Sequence, residues 1–426
     1  MKILVLTLNA WNNSNSTGNT VSNLFSELSK DDEIANIYCR NEAINNTICK
    51  RYYKVTENDI LHHLLSPKFC GKIIEGIPKN SSQKETNILS NHKCGNFLRK
   101  YRFTSLLILR ELIWLIPVWM NSNLDRFLNN FAPDIIYMHG HSNLYMHRLL
   151  DYCARKTGAK IVMYWGDDMY GRKTRAPLGY LYETFLRKRY RKSIRQSSLL
   201  FGGSLKLCDE YSEIFGKKFI PFFKECKQVC YDDRKKVGNP ITIVYAGNLL
   251  FGRELMIVNL VKDIVKVNTK ELNRQLLLKI YSNTSPSEES LVVLDDKKNS
   301  CFMGCKPYKE VCEEMDKSDL VLFIESFEKK CIKSTRLSFS TKIIDCMQST
   351  AGIIAIGPQE IASMDYIIRN NLGYIISDLT QVEDRLTYLV EHPEIIQENN
   401  KHKMEYAQAY HTNTSVKALN EIRKNL

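Results

Sequence analysis

The chain has 426 residues, of which 44% are hydrophobic and 25% charged, a globular balance that excludes a largely disordered or collagen-like protein. Lysine and arginine total 60 against 47 aspartates and glutamates, so the formal charge of +13 favours anionic partners. At roughly 150 residues per domain, this length predicts two or three domains.

The cysteines and the apolar runs indicate in which cellular compartment the protein lies. The 13 cysteines are scattered without the spacing of a zinc or redox motif, so we expect reduced thiols, no metal site and a cytoplasmic protein. The N-terminal apolar run, residues 3–8, is too short for a signal peptide. Charges interrupt the apolar stretch 105–120, which falls short of the roughly 20 residues of a membrane span. No transmembrane helix is therefore predicted.

Strands and helices alternate through the first half of the chain. Predicted strands lie at 2–8, 134–138, 160–164 and 199–201, and predicted helices at 19–28 and 147–156. Short β-rich runs separated by amphipathic helices indicate a parallel, doubly wound sheet. Residues 65–100 are polar and weakly periodic, and we interpret them as an insertion or a mobile loop.

The alternation restarts after residues 218–240, a segment with proline, glycine and many lysines that we interpret as a linker. Predicted strands follow at 241–245, 276–281, 320–324, 352–356 and 374–376, with helices at 255–265, 308–315 and 341–347. The C-terminal residues are polar and predicted to be helical. The fold class predicted is therefore α/β, with two similar domains in tandem.

The first predicted strand runs into AWNNSNSTGNT, which places small polar residues before a helix. Gly18 is the permissive residue of the predicted turn, and Asn19 or Thr20 caps the helix. A helix N-terminus after a strand suits an anion or a sugar. An ordinary turn explains the pattern at least as well.

Two further segments place polar side chains at the carboxyl ends of predicted strands, the edge where α/β sheets bind ligands. They are YMHGHSN, with His139 and His141, and YWGDDMYG, with Asp167 and Asp168. Either aspartate is a candidate general base, or a group that positions an acceptor hydroxyl, with the histidines in support. Aspartates in glycine-containing loops are also ordinary turn residues, so both interpretations stay open.

The second domain opens with ITIVYAGNLLFGRE. Gly247 ends the strand and allows the backbone to approach a ligand closely. The guanidinium of Arg253, near the start of the next helix, suits a diphosphate because it presents a fork of donors. The alternative is a surface arginine in an ordinary loop.

The segment SFSTKIIDC precedes and begins an apolar helix. Ser340 and Thr341 bring hydroxyl and amide groups to the positive end of that helix, and Lys342 adds charge. Asp345 lies one turn after Thr341 on the same face and is placed to hold a ribose diol. Helix capping explains each residue separately; their clustering beside the buried strand GIIAI favours a site.

The positive charge is concentrated in residues 172–195, where nine lysines and arginines face a single glutamate. Aromatic and apolar residues interleave with them, which predicts a basic amphipathic helix suited to anionic headgroups or a lipid-linked phosphate. Residues 99–120 can assist. A solvated helix face over a buried stripe is the alternative. No nucleic-acid partner is predicted, because no binding motif accompanies the charge.

Taken in order, these segments resemble the GT-B glycosyltransferases, in particular the group 4/group 1 family of bacterial capsule, lipopolysaccharide and exopolysaccharide synthesis. The resemblance rests on the GNT turn at 18–20, FAPDIIYMHGH at 131–141, YWGDD at 164–168, YAGNLLFGRE at 245–254, FMGCKPYKEV at 302–311, DLVLFIES at 319–326 and STKIIDCMQSTAGIIAIGP at 340–358.

The resemblance implies two Rossmann-like domains whose parallel sheets face an interdomain cleft. It implies an acceptor-binding domain over 1–217, the linker 218–240, a nucleotide-sugar domain over 241–405 and a final helix, 406–426, that crosses back to the first domain. It also implies a hexosyltransferase that needs no catalytic metal and no cofactor.

The resemblance further implies roles for individual residues. Arg253, Lys342 and the amides at Ser340 and Thr341 would stabilise the departing nucleoside diphosphate. Residues 304–308, with Gly304 and Tyr308, match the segment that reads the base, and Asp345 aligns with the acidic residue that holds the ribose. Gly247 and Asn248 belong to the same donor site, and Gly18, Asn19, Thr20 and His141 to the acceptor site.

The sequence departs from the family pattern at one point. Members often carry two glutamates separated by seven residues, whereas here the second position is Asp345 and the first is Leu337. Glu325 is the candidate substitute. The stereochemical course of the reaction therefore stays open.

The predicted function is transfer of a sugar from a nucleoside diphosphate donor, UDP-linked, to a hydroxyl of a lipid-linked saccharide on the inner face of the plasma membrane. A sugar-nucleotide epimerase of the same fold is an alternative, which product analysis with the donor alone distinguishes. A catalytically silent basic membrane adaptor is another, which would bind liposomes in a salt-dependent way and no nucleotide.

Overall fold

The computed structural model describes residues 1–13, 16–66, 70–76, 104–171, 179–226 and 236–426. The chain divides into two compact units. The first unit comprises Met1–Gly203, Cys208–Phe222 and Ser415–Leu426, and the second comprises Ser204–Leu207 and Phe223–Thr414. Each unit is a layered α/β domain built on a sheet of its own.

Within the described ranges, the first unit has an eight-stranded sheet in the order β4-β3-β2-β1-β5-β6-β7-β8. The strands are β1 (Lys2–Thr7), β2 (Glu33–Tyr38), β3 (Arg51–Lys54), β4 (Lys72–Glu75), β5 (Ile135–His139), β6 (Lys160–Trp165), β7 (Leu199–Gly202) and β8 (Ile220–Pro221). The pairs are parallel except for β3 with β4, which is antiparallel. The order from β3 to β7 is that of a doubly wound Rossmann sheet, which confirms the predicted fold class.

The helices described in the first half are α1 (Ser16–Leu24), α2 (Glu57–Leu65), α3 (Thr104–Leu115), α4 (Ser122–Phe131), α5 (Leu144–Thr157), α6 (Gly179–Gln196) and α7 (Leu205–Phe215). Local sequence sets several of their ends. Thr56 and Asp59 form a capping box at the start of α2. Gly158 ends α5 in the left-handed conformation.

Among the described residues, the second unit has a six-stranded parallel sheet in the order β11-β10-β9-β12-β13-β14. Its strands are β9 (Ile241–Ala246), β10 (Leu276–Tyr281), β11 (Ser300–Gly304), β12 (Leu320–Ile324), β13 (Gly352–Ile356) and β14 (Tyr374–Ile376). Its helices are α8 (Arg253–Thr269), α9 (Glu288–Leu294), α10 (Tyr308–Lys317), α11 (Lys329–Thr335), α12 (Lys342–Gln348), α13 (Ala362–Arg369), α14 (Val382–Glu391) and α15 (Glu394–Tyr410). The central strands β12 and β13 are buried along their whole length, as a parallel sheet covered on both faces requires.

The last helix, α16 (Thr414–Lys424), contributes to the core of the first unit. Its buried residues Leu419 and Ile422 pack in the same cluster as Ile3 and Val5 of β1. The first sheet is therefore covered in part by residues from the far end of the chain.

Two local predictions are wrong. Gly18, Asn19 and Thr20 lie inside α1 and do not form a turn with a cap. Gly18 is required there for a different reason, since a Cβ atom would stand 2.1 Å from the carbonyl oxygen of Asn12. The predicted loop 65–100 contains β4. The predicted linker, 218–240, contains the short strand β8 and also the point where the two units divide, at Phe222 and Phe223. Residues 67–69, 77–103, 172–178 and 227–235, parts of the predicted loop, basic segment and linker, lie outside the described residues.

The helices in the described ranges lack the combination of length and apolar character that a membrane-spanning segment needs.

Candidate functional site

The strongest cluster of charged groups in the second unit forms where β9 and β12 end. The guanidinium of Arg253, the first residue of α8, donates from Nη2 to both carboxylate oxygens of Glu325, at 2.7 and 2.9 Å. Its Nη1 donates to Asn248 Oδ1 at 3.0 Å. The two charged side chains are only 8% and 4% exposed. Arg253 is therefore held in one orientation by its bonds to two different side chains.

A second cation lies next to this pair. Lys342, the first residue of α12, points its ammonium at the ring of Tyr245, with Nζ 5.1 Å from the ring centroid and 3.4 Å from the hydroxyl. The Tyr245 hydroxyl in turn donates to the carbonyl of Asn248 at 2.6 Å. Burial, followed by the positive charge of Arg253, lowers the pKa of Lys342 to about 8. The two cations thus share one network through Tyr245 and Asn248.

Gly247 makes room for the ammonium group of Lys342. A Cβ atom at position 247 would stand 1.9 Å from Nζ and 2.4 Å from Cε of that lysine. The Gly247 amide is engaged in the sheet, where it donates to the carbonyl of Tyr281 at 2.9 Å. The glycine therefore serves the close approach of a lysine side chain.

We predict that Gly247→Ala moves the ammonium and weakens binding of a diphosphate severalfold, with little change in stability. The clash falls on the far end of a flexible side chain, which moves at small cost. Calorimetric titration with UDP and thermal unfolding measure the two effects. The control is Ala246→Gly, which changes the neighbouring residue by the same methyl group. Gly216→Ala would not serve, because Gly216 has a φ of +63° and an alanine there would be strained. Unchanged UDP affinity in Gly247→Ala would contradict the assignment.

The residues before α12 are arranged differently from the prediction. The Ser340 amide donates to Ser363 Oγ at 2.9 Å, so it is not open to a ligand in this structure. Thr341 is the N-cap residue of α12, yet its side chain makes no capping hydrogen bond. The side chains of Arg253 and Lys342 therefore contribute more to any anion site here than the predicted Ser340 amide.

The other end of α12 is fixed by a buried lysine that the sequence analysis did not identify. Lys403 of α15 is fully buried and donates from Nζ to the carbonyls of Ser349 and Ala351, at 2.5 and 2.6 Å. A cation at a helix C-terminus is favourable both as a donor and through the helix dipole. Lys403 therefore positions the short helix that carries Lys342 and Asp345.

Asp345 lies in a second polar cluster on the same helix. Its Oδ1 accepts hydrogen bonds from Lys224 Nζ and from the Tyr308 hydroxyl, both at 2.9 Å. Tyr308 is exposed, and Lys224 lies 5.8 Å from the centroid of its ring. The structure therefore brings together Asp345 and Tyr308 as the sequence suggested, and adds Lys224.

Gly304 ends β11 in a left-handed conformation with φ of +67°, and open space lies on the side where a side chain would stand. Its carbonyl accepts a hydrogen bond from the Ser282 amide at 2.9 Å. A flat group can approach the backbone here without meeting a side chain of residue 304.

The candidate residues of the first unit cluster at the carboxyl ends of β5 and β6. The Nε2 atoms of His139 and His141 are buried without a hydrogen-bond partner in the described part of the chain. Burial lowers the pKa of each imidazole to about 3, so both rings are neutral at physiological pH. Asp168 Oδ1 accepts from the Tyr211 hydroxyl at 3.1 Å and from the Gly171 amide at 2.8 Å. Asp167 lies beside it and is partly buried.

No group of three or more metal-ligating side chains with suitable geometry occurs among the residues for which side chains are described. The catalytic and binding roles assigned to all these residues remain predictions.

The architecture, two Rossmann-like α/β units with parallel sheets, is that of the GT-B glycosyltransferases. Among solved structures, the chain is similar to Anabaena Alr3699/HepE in complex with UDP and glucose, with a TM-score of 0.57 and 11% identity over 100% of this chain and 98% of that one.

Two further solved structures cover both chains almost completely. The lipopolysaccharide outer core galactosyltransferase WaaB, in its apo form, has a TM-score of 0.58 and 13% identity over 100% of each chain. An α,α-trehalose-phosphate synthase (UDP-forming) from Burkholderia xenovorans, in complex with glucose-6-phosphate, has a TM-score of 0.55 and 10% identity over 100% of this chain and 99% of that one. No family model matches the chain, and no curated protein matches it. Identities of this size establish a shared fold.

Proposed function

We propose that this chain is a glycosyltransferase that moves a sugar from a UDP-linked donor to a hydroxyl of a lipid-linked saccharide in surface polysaccharide synthesis. The observation that carries the proposal is the joined pair of cations, Arg253 and Lys342, at the strand ends of a GT-B fold. Structures of the same fold are described as complexes with UDP and with UDP-glucose. Glu325 balances one of the two cations, and the excess positive charge that is left favours an anionic ligand such as a diphosphate.

In this proposal the cation pair promotes the reaction by stabilising the leaving group, the nucleoside diphosphate. Negative charge develops on the diphosphate as the bond to the sugar breaks, and fixed positive groups stabilise that charge more than they stabilise the intact donor. Arg253 is fixed by Glu325 and Asn248, and Lys342 by its contact with Tyr245. With two cations in place, the proposed reaction needs no metal and no other cofactor.

The nucleoside would lie along the second cluster. In this proposal the carboxylate of Asp345 accepts hydrogen bonds from the ribose hydroxyls, in exchange for those from Lys224 and Tyr308. The base would rest against the backbone at Gly304, where no side chain obstructs it. Glu325 is already committed to Arg253, so its proposed part in the donor site is to orient that arginine.

The acceptor would bind to the first unit. His139 and His141 are neutral, so each ring has one donor and one acceptor nitrogen, and the Nε2 atom of each is without a partner among the described residues. In this proposal a sugar hydroxyl that reaches these rings would bond to Nε2. Asp168 or Asp167 is the proposed group that positions the attacking hydroxyl or takes its proton. The solved structures of this fold include trehalose-phosphate and sucrose-phosphate synthases, so soluble sugar phosphates belong in an acceptor screen.

We also propose peripheral association with an anionic membrane through helices α3 and α6. Exposed apolar side chains stand on both helices: Leu109, Leu112, Leu115, Tyr180, Leu181 and Phe185. Apolar side chains beside a basic helix face are the features of a segment that lies in the membrane interface.

The proposal is tested by screening nucleotides and nucleotide sugars for thermal stabilisation, since a ligand that binds only the folded state raises the melting temperature. We expect UDP and a UDP-sugar to stabilise the wild type, and Arg253→Lys to lose most of that stabilisation because lysine cannot make the same fork of bonds. Transfer to an acceptor, followed by mass spectrometry, then identifies the product. Absence of nucleotide binding would contradict the proposal, and turnover of the donor without an acceptor would favour an epimerase.

A further inference from the structure

A basic cavity lies between helices α5 and α6 of the first unit, and none of the residues assigned to the acceptor lines it. Its volume is about 240 Å³. The residues that line it are Met120, Arg148, Asp151, Arg155, Arg189 and Lys192. Four cations therefore surround one carboxylate, which leaves an excess of three positive charges around a space open to solvent.

The carboxylate in the cavity neutralises only part of this charge. Asp151 Oδ2 pairs with Lys192 Nζ at 2.5 Å and with Arg189 Nη1 at 3.3 Å. Its Oδ1 is buried and has no hydrogen-bond partner in the described residues. Arg155 donates from Nε to the backbone carbonyl of Asp151 at 3.2 Å, its one hydrogen bond within the described residues. The cavity therefore gathers arginine and lysine side chains that keep N–H groups available for further hydrogen bonds.

Arg148 is fixed within this group. Its Nη1 donates to the carbonyl of Trp114 at 2.6 Å, and its guanidinium lies 5.9 Å from the centroid of the Trp119 ring. Burial, followed by the charge of Arg189, lowers the pKa of Arg148. Two guanidinium groups thus repel each other across the cavity, and an anion between them would relieve that repulsion.

We propose that this cavity binds a phosphate group, and that the phosphate is the headgroup of an anionic phospholipid. Several arginines and a lysine around one space match the oxygens of a phosphate, because each nitrogen that is not already bonded can donate to it. The first part of this proposal, that a phosphate binds, rests only on the residues that line the cavity. The lipid as its source rests on the proposed membrane association.

The apolar surroundings argue for the lipid. Leu181 and Phe185 are exposed, and on α6 they stand at helical spacing on the same face as Lys192. The residues Leu112 and Leu115 are exposed on α3, on either side of Trp114. Helix α6, which lines the cavity, and helix α3 therefore both carry exposed apolar side chains, and apolar side chains together with basic ones are the features of a segment that lies in the membrane interface.

Helix α3 is held firmly against α5, so its apolar face is presented in a fixed direction. Glu111 of α3 is buried and accepts from the amides of Leu144 and Tyr145 at the start of α5, at 2.8 and 3.0 Å. The rings of Trp114 and Tyr145 stack with centroids 4.3 Å apart. Helix α3 is therefore fixed to α5, the helix that supplies Arg148, Asp151 and Arg155 to the cavity.

The test is sedimentation of the full-length protein with vesicles of phosphatidylcholine, with and without phosphatidylglycerol. We expect binding only to the anionic vesicles, and a loss of roughly tenfold or more in the double variant Arg189→Gln/Lys192→Gln. The matched control is Arg191→Gln/Arg195→Gln, which removes the same charge from exposed residues of the same helix that do not line the cavity. Equal losses in the two variants would overturn the proposal, as would no loss in the first.

The double variant leaves Asp151 without its cationic partners, which could unfold the first unit. A triple variant that adds Asp151→Asn removes that unpaired charge and is expected to fold and to show the same loss. Calorimetry with inorganic phosphate tests the alternative that the cavity binds a free phosphate and not a lipid headgroup. Phosphate binding in the wild type, lost in the triple variant while vesicle binding is unchanged, would keep the phosphate site and overturn the lipid assignment.

The outcome is independent of the donor site. UDP affinity is expected to be the same in the wild type and in these variants, because none of the altered residues belongs to the second unit. A protein that binds anionic vesicles through the cavity but no nucleotide would refute the proposed glycosyltransferase and leave the phosphate cavity standing.

Discussion

Replacement of Glu325 by leucine is expected to lower the free energy of unfolding by about 3–5 kcal/mol, the usual effect of removing one partner of a buried ion pair. The Arg253 guanidinium would lose two hydrogen bonds and keep its charge in a place where its side chain is 8% exposed.

The two units allow this loss to be assigned. All four tryptophans, residues 11, 114, 119 and 165, belong to the first unit, so their fluorescence reports on that unit. Urea unfolding followed by far-UV circular dichroism reports on both. We expect the dichroism transition of the second unit to move to lower urea in Glu325→Leu while the fluorescence transition stays in place.

The control is the double variant Arg253→Met/Glu325→Leu, which removes both charges and keeps similar volumes. Replacing a buried ion pair by packed apolar groups is often neutral, so much of the stability should return. If the double variant is no more stable than Glu325→Leu, the unpaired arginine is not the cause of the loss.

The affinity for UDP is expected to fall as the pH rises through the pKa of Lys342. With a pKa of about 8, Lys342 is mostly charged at pH 7 and mostly neutral at pH 9. The fraction of charged lysine falls by roughly tenfold over that interval, and the affinity should fall with it, because the diphosphate binds the ammonium form. Calorimetric titrations across the interval measure this change.

Lys342→Arg is the matched control, because arginine keeps its charge over the whole interval. Its affinity should vary little with pH, whatever its absolute value. A wild type that binds UDP equally well at both ends of the interval would show that Lys342 does not contact the diphosphate.

The same lowered pKa affects stability in the opposite direction. Between about 8 and 10.5 the unfolded chain binds a proton at Lys342 that the folded chain does not, so the contribution of this residue to stability rises with pH over that range. Below pH 8 the fold carries the full cost of holding the ammonium group partly buried. Lys342→Met should therefore be more stable than the wild type at neutral pH.

The fold was predictable because the central strands are nearly continuous apolar runs. Such runs predicted two of the strands correctly, Lys160–Trp165 and Gly352–Ile356. Strand β2 was missed because Asn36 interrupts its apolar pattern. That asparagine is buried, and its amide donates to the carbonyl of Val5 and to Thr7 Oγ1 on the neighbouring strand. A single sequence does not reveal such a partner 31 positions away.

The candidate site was predictable where its residues begin a helix, as Arg253 does after β9 and Lys342 does before β13. The partners of these residues were not predictable. Glu325 is 72 positions from Arg253, and Lys224 is 121 positions from Asp345 in a segment that has the composition of a linker. Gly18 was misinterpreted because a glycine required for close packing has the same appearance in a sequence as one required for a turn.

The packing of α16 in the first unit has a consequence for biosynthesis. Leu419 and Ile422 pack in the apolar core around β1, although the ribosome makes them about 400 residues after that strand. Part of the apolar surface around β1 therefore stays uncovered until these two residues have been made. A nascent chain halted before these residues should be a client of chaperones and an easy target for proteases.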